Sequence, residues 1–362
     1  MVSFQSRTVM RQLVRAFETL EQTFIGQDAQ TRPDLWWHHA REHFLPVQIA
    51  YHEKFTSIRD ARTHLNSLLR AGEQARGELL QIAEAHVLAS YSGTLDFSTR
   101  YCLAHCLTRV VSLERHRQLE RRIQELVDGH TSWQKAFALF EATEVQPPSK
   151  PLMLMRIQHF FSNLTLSTCR ETEEMLADRF SEDYIRVLSI AEQYLLDGTN
   201  LTKINRSIQT PVGPERQTTF NLQFTILPAM NMICFKCRDP AIRRRAISLL
   251  RRVDRREGLF WSGMMAAHAE AIVGLEEERA REGQTTAVWA LGGGSRLILK
   301  AARFSEVVLA PDSFGQTGAL RIICGRFVRE RGHEVELLEY RGNGSPIKTE
   351  WVSRIVLPCK TL

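Results

Sequence analysis

The sequence predicts a mainly α-helical protein, in which a body of packed helix pairs is followed by a small β-rich element at the C-terminal end. Two observations carry this prediction. From about residue 11 to 198, apolar side chains recur three and four positions apart, which is the period of helices that bury one face. After about residue 285, glycines separate four short runs of β-forming residues, as is typical of hairpins.

The first helix is predicted near residues 11–24. Its arginines, with no acidic residue before Glu18, resemble those of a mitochondrial presequence. The apolar stripe from Leu13 to Phe24 continues through Glu18 and Glu21, however, and this favours a structural helix over a presequence.

Further helices are predicted along the N-terminal half. Ser57 and Asp60 form a capping-box pattern ahead of an apolar stripe. Two more stripes run through residues 133–140 and 180–191, with a proline pair between them that should end a helix. Residues 199–219 are polar and contain two prolines and a glycine, so we interpret them as a loop.

We expect residues 220–226 to form a short extended segment, and the stretch 237–258 to form a helix with a marked start. Asp239 can accept hydrogen bonds from the first N–H groups, and Pro240 suits the first helical position. An apolar stripe follows, formed by Ile242, Ala246 and Leu249. A second helix is predicted to reach the glutamates at 276–278.

The C-terminal element is predicted to consist of strands. The four runs with β-type composition are residues 305–309, 320–327, 335–340 and 351–356. We therefore divide the chain into a helical domain, residues 1–284 with a loop near 199–219, and a β-rich element, residues 285–362.

The stretch that starts at position 237 carries a family resemblance. Its matching residues are Cys237, Arg238, Asp239, Pro240, Arg243, Arg244, Ala246, Leu249 and Leu250, followed by Arg256, Glu257 and Gly258. This pattern is similar to the C-terminal, non-DNA-binding regulatory region of fungal zinc binuclear cluster transcription factors, which have six zinc-binding cysteines. Residues 55–68, 220–228 and 351–358 also resemble blocks of that region.

The resemblance implies a fungal transcription regulator in the nucleus, with an effector-sensing region that controls a secondary-metabolite or other metabolic pathway. Transcription machinery or other regulators would be its partners, while a small-molecule effector and homodimerisation stay open. The six-cysteine pattern is not found in these 362 residues, so no cofactor is expected in this chain. Zinc and DNA contact would belong to an N-terminal cluster encoded upstream.

Bulk composition agrees with a globular protein of this kind. The hydrophobic fraction is 43%, and 47 basic against 41 acidic side chains give a net charge of only +6, which does not by itself indicate nucleic acid. No apolar run is long enough for a membrane span, and no secretory signal is recognisable. Seven cysteines at irregular spacing indicate a reducing compartment, so the cytoplasm is the alternative to the nucleus.

One C-x-x-C pair, Cys234 and Cys237, invites a zinc or redox interpretation. A zinc binuclear cluster would need another cysteine after six intervening residues, where Arg244 stands, and a thioredoxin-like site would need a βαβ setting. We therefore interpret both as structural thiols and predict no metal site.

Eight arginines lie between positions 238 and 256. They could contact nucleic-acid phosphates, or they could form a solvated face paired with nearby acids such as the glutamates at 276–278. No ridge of polar residues or interleaved aromatics supports base readout or stacking, so we favour the solvated face. We also expect Arg238, Asp239 and Glu257 to tie this helix to the following turn.

Two further patterns are weak. His39 and His43 have the spacing of metal ligands on one helix face, but they lack the glutamate of zinc hydrolases, and a polar helix is favoured. The glycines at 292–294 lack phosphate-loop spacing and indicate a turn. With no nucleophile motif either, we predict that the protein is not an enzyme. A helical interaction scaffold without a DNA role is the first alternative, and a motif-free helical enzyme is the second.

Overall fold

A computed structural model describes much of the chain. The described residues are 53–91, 95–111, 113–143, 149–170, 174–196, 219–221, 226–257, 260–282, 302–309, 320–328, 334–342 and 350–358. The chain splits into two compact units, Met1–Gln48 and Ile49–Leu362, and all of these residues belong to the second. The predictions for residues 11–24, His39, His43 and the glycines at 292–294 lie outside the described residues.

Five helices lie in the N-terminal part of the described residues of this unit. They are α1 (Ile58–Ser90), α2 (Phe97–Leu107), α3 (Arg117–Glu141), α4 (Lys150–Thr168) and α5 (Ser181–Leu196). Short 3₁₀ turns at Glu114–His116 and Glu174–Phe180 precede α3 and α5. The side chain of Ser57 caps α1 as predicted, by accepting a bond from the Asp60 N–H, while the Asp60 carboxylate accepts from the Thr56 N–H.

Three more helices follow: α6 (Ile226–Lys236), α7 (Pro240–Arg252) and α8 (Ser262–Glu282). A small sheet accompanies them, with β1 (Thr219–Asn221), β2 (Arg255–Glu257) and β3 (Phe260–Trp261) in that order. The predicted extended segment 220–226, and the strand-like block up to 228, are wrong from Ile226 onward, because α6 begins there. Pro228 is tolerated because the N–H groups of the first helical turn have no partner within the helix.

The C-terminal strands form an antiparallel meander. Its strands are β4 (Glu306–Leu309), β5 (Leu320–Val328), β6 (Glu334–Gly342) and β7 (Glu350–Pro358), each paired with the next. In the long central ladder Cys324 lies opposite Leu338, and Gly325 lies opposite Leu337. The prediction of a mainly α-helical protein with a small C-terminal sheet is confirmed.

The core has a helical part and two layers against the sheet. The largest apolar cluster joins α4, α5, α6, α7 and α8. A second cluster packs α1 and α2 against Ile323, Val335 and Leu337, and a third packs α8 against Ile322, Cys324 and Leu338. Because side chains alternate along a strand, α2 and α8 cover opposite faces of β5. The proposed boundary between 284 and 285 falls outside the described residues and stays a prediction.

None of the helices in the described part of the chain combines the length and the apolar character needed to cross a membrane.

Candidate functional site

Helix α7 has the capped start that its sequence predicts. The Asp239 Oδ1 atom accepts hydrogen bonds from the N–H groups of Ala241 at 2.8 Å and Ile242 at 3.4 Å, and Pro240 is the first helical residue. This cap satisfies donors that the helix itself leaves without partners. Ala246, Leu249 and Leu250 of the motif are buried in the helical core.

The arginines around α7 are mostly neutralised. Six of the eight form ion pairs with carboxylates of the described residues: Arg238–Asp178, Arg243–Glu276, Arg244–Glu277, Arg245–Glu192, Arg251–Glu270 and Arg255–Glu257. Exposed pairs of this kind contribute about 0–1 kcal/mol each, so their main effect is on surface charge. The pairing supports the charged-face interpretation over a phosphate-binding helix, with two exceptions, Arg243 and Arg255, whose side chains are buried.

Arg243 is fully buried rather than on a solvated face. Its side chain is 0% exposed and its Nη2 atom donates to Glu276 Oε2 at 2.6 Å, where the Glu276 side chain is 1% exposed. The other Glu276 oxygen accepts from the Phe304 N–H at 3.0 Å and lies 3.4 Å from Arg303 Nε. One buried carboxylate thus connects α7, α8 and the segment that leads into β4.

The C-terminal end of α6 meets the same segment. Arg303 Nη1 donates to the carbonyl of Cys237 at 3.1 Å, and Arg303 Nη2 donates to that of Phe235. Lys236 Nζ donates to the Ser305 carbonyl at 3.1 Å, and Arg109, which follows α2, donates to the same carbonyl. Cations at a helix C-terminus are stabilising because the last carbonyls lack helical partners.

We call Arg109, Lys236, Arg243, Glu276 and Arg303 the ionic junction. All five side chains are buried, and two of the cations share the single carboxylate of Glu276. Among the described residues, Arg243 Nε and Nη1 have no hydrogen-bond partner. A buried charge of this kind is held at a desolvation penalty and depends on its counter-charge. Chemically, the junction can fix helices against the sheet, and it offers no acid–base pair.

Glu257 caps a different helix from the one that the sequence suggested. Its Oε2 atom accepts from the N–H groups of Ile226 at 2.9 Å and Leu227 at 3.0 Å, at the start of α6, and Oε1 accepts from Arg255 Nε at 2.7 Å. The expected tie between Arg238, Asp239 and Glu257 at one turn is therefore wrong. Asp239 caps α7, Arg238 pairs with Asp178, and Glu257 caps α6.

Both cysteines of the C-x-x-C pair are buried thiols. Cys234 is 0% exposed and Cys237 is 3% exposed. Burial raises the pKa of Cys234 to about 12, and burial also raises the pKa of Cys237, so both stay protonated and unreactive at neutral pH. No group of three metal-ligating side chains is present within the described part of the chain.

The sequence prediction located some of this site and missed the rest. Its motif includes Arg243 and Glu257, and it names Glu276 as a nearby acid. The prediction missed helix α6. It also missed the side chains of Arg109, Lys236 and Arg303, because nothing in their local sequence indicates a buried charge. Arg256 lies half-buried in β2, and Gly258 lies outside the described residues.

Comparison with known proteins gives one partial relative. The aspercryptin biosynthesis cluster-specific transcription regulator of Emericella nidulans is 37% identical over 82 residues. The aligned segment covers 20% of this chain and 13% of that protein. No protein-family model matches the chain, and no solved structure matches it. Part of the chain is thus similar to a fungal pathway-specific transcription regulator, and the relative's name does not describe an enzyme.

Proposed function

We propose that this chain is the regulatory region of a fungal transcription regulator that controls a metabolic pathway, with secondary metabolism as the first expectation. The observation that carries the proposal is the partial similarity to a pathway-specific regulator. The nucleus is the proposed location, and the transcription machinery or other regulators are the proposed partners.

The charge arrangement supports regulation rather than DNA reading by the arginine-rich helix. A phosphate contact there would have to displace carboxylates that already pair with the arginines, as Glu277 does with Arg244 at 2.7 Å. Such exchange gains little, since the counterion release that favours phosphate binding is offset by the loss of the existing ion pairs. Zinc-dependent DNA contact would then depend on a six-cysteine cluster encoded upstream of Met1.

The test is a reporter assay in a fungal host. The full chain is fused to a heterologous DNA-binding domain, and reporter expression is compared with that of the DNA-binding domain alone. We expect a severalfold change in expression, either up or down. The Glu276→Ala variant should lose this effect because the ionic junction is broken, while Glu277→Ala, with an exposed partner, should retain it.

A nuclear, folded fusion that leaves the reporter unchanged would contradict the proposal. The helical interaction scaffold would then become the better hypothesis. Reading the native transcript upstream of the codon for Met1 gives an independent check, since an in-frame six-cysteine exon would supply the DNA-binding module.

A further inference from the structure

A second group of arginines, separate from those of α7, surrounds an open cleft between the end of α2 and the start of α3. The cleft has a volume of about 690 Å³. It is lined by Val110, Val111, Leu113, Glu114, Arg117, Glu120, Arg121 and Arg170. Binding sites for small molecules typically occupy 300–1,000 Å³ and combine apolar walls with a few polar groups. The volume lies within that range, and the lining is more polar than usual, because five of its eight residues are charged.

Arg170 is held in place by the backbone at the end of α2. Its Nη1 atom donates to the carbonyls of Thr108 at 2.7 Å and Val111 at 2.9 Å. These two bonds fix the planar guanidinium and leave the Nε and Nη2 N–H groups for other acceptors. The side chain is half-buried, and burial lowers the pKa of Arg170, while the nearby Cys169 and Glu120 act in the opposite direction. A positioned, partly desolvated arginine is well suited to an anion.

The arginines of the cleft differ from those of α7 in their partners. Most α7 arginines have a carboxylate within 4.0 Å, such as Glu277 for Arg244. Within the described part of the chain, Arg117, Arg121 and Arg170 form no such ion pair. Among the described residues that line the cleft, three arginines and two glutamates give a formal net charge of +1 beside the apolar side chains of Val110 and Val111.

We propose that this cleft binds a small molecule that carries an oxyanion, either a carboxylate or a phosphate, on an apolar body. The guanidinium fork of arginine matches both oxyanions by paired N–H···O bonds, and the valine and leucine walls accept the apolar part. The inference goes beyond the proposed function, because the cleft can bind such a molecule whether or not the chain regulates transcription.

The experiment is isothermal titration of the full chain with three probes of equal chain length: octanoate, octyl phosphate and octanamide. We expect saturable binding of at least one oxyanion, and at least tenfold weaker binding of the neutral amide. The ranking of octanoate and octyl phosphate identifies the preferred oxyanion. Equal affinity for octanamide, or no binding of either oxyanion, would overturn the proposal.

Variants locate the binding. The double variant Arg117→Gln/Arg121→Gln should raise the Kd of the preferred probe at least tenfold. The matched control Arg244→Gln/Arg251→Gln removes the same charge from exposed arginines outside the cleft and should leave the Kd unchanged. Arg170→Lys keeps the charge but loses the fork, and should also weaken binding. Thermal melting confirms that each variant is folded. An unaffected Kd in the cleft double variant would contradict the assignment of binding to this cleft.

Discussion

The two faces of the C-terminal sheet are attached to the helices by different chemistry. On the α8 face, apolar side chains are accompanied by the buried Glu276, whose two arginine partners come from α7 and from the segment before β4. On the α2 face, the central contact is close packing between thiols and the backbone, and the ion pairs Arg321–Asp96 and Arg109–Glu306 lie beside it. Gly325 lies so near α2 that a Cβ atom added to it would overlap Cys106 Sγ.

Each attachment therefore fails in a different way. Removing one partner from a buried ionic cluster leaves another charge without compensation, so the charged face is sensitive to deletion. A close-packed face tolerates loss of a charge elsewhere but is sensitive to added volume. Substitutions at four positions probe these attachments and the helices around them, and loss of the buried counter-charge should have the largest effect.

Glu276→Ala should be the most damaging single substitution of the four. It leaves Arg243 and Arg303 buried without their carboxylate, and breaking a buried pair in this way costs about 3–5 kcal/mol. Urea unfolding of the full chain measures the loss.

The neighbouring residue supplies the control for this prediction. Glu277→Ala removes a carboxylate whose partner, Arg244, has a side chain that is 61% exposed, and it should cost about 1 kcal/mol or less. If the two variants unfold at the same urea concentration, the ionic junction does not stabilise the protein.

Gly325→Ala should destabilise the α2 face by about 1–3 kcal/mol, because the new methyl group would overlap Cys106 Sγ and force α2 or β5 to move. Adding Cys106→Ala should recover part of the loss by removing the sulfur. Gly274→Ala in α8 is the matched control, since nothing lies within 4 Å of its added Cβ, and it should stabilise by up to about 1 kcal/mol. A Gly325→Ala protein as stable as wild type would refute the close packing.

Lowering the pH should destabilise the protein through His268 of α8. This histidine is 3% exposed, packs edge-on against Phe235 of α6, and has no hydrogen-bond partner for either ring nitrogen among the described residues. Burial lowers its pKa to about 3, from 6.5 in the unfolded chain. Its folded-state pKa is depressed, so stability is complete above pH 6.5 and falls as the pH drops toward 3. At pH 5 the loss is about 2 kcal/mol.

The His268→Leu variant tests that assignment. Replacing His268 by leucine leaves no hydrogen-bonding group without its partner, so stability at pH 7.5 should change little. The loss of stability between pH 6.5 and 4 should become smaller by the amount that His268 contributes. His116→Leu, at an exposed position, serves as the control. Identical acid profiles for wild type and His268→Leu would show that His268 is not a source of the acid sensitivity.

Local signals in the sequence predicted the helix starts well and the buried charges poorly. The caps at Ser57 and Asp239 depend on residues two or three positions apart, so the pattern alone reveals them. Helix α6 was missed because a short apolar run with a proline also fits a strand. Its ends are stabilised by Glu257 and Arg303, which lie far along the chain.

Adjacent identical residues show the same limit at the ionic junction. Arg243 and Arg244 are chemically alike, yet the first is 0% and the second 61% exposed, and the same division separates Glu276 from Glu277. The period of the helix says that neighbours point to different faces, but only tertiary packing decides which face is buried. For that reason the sequence could predict a charged helix surface without predicting that one of its ion pairs holds the sheet.

Asp239→Ala should give the smallest effect of the four, because the cap is half-exposed and acts on α7 alone. Loss of the two bonds to the N–H groups of Ala241 and Ile242 should cost about 1 kcal/mol. Asp239→Asn keeps an oxygen acceptor at the same place and should retain most of the stability. Urea unfolding of both variants separates the cap from the charge. If alanine and asparagine destabilise equally, the carboxylate charge matters rather than the cap, and if neither does, α7 does not depend on Asp239.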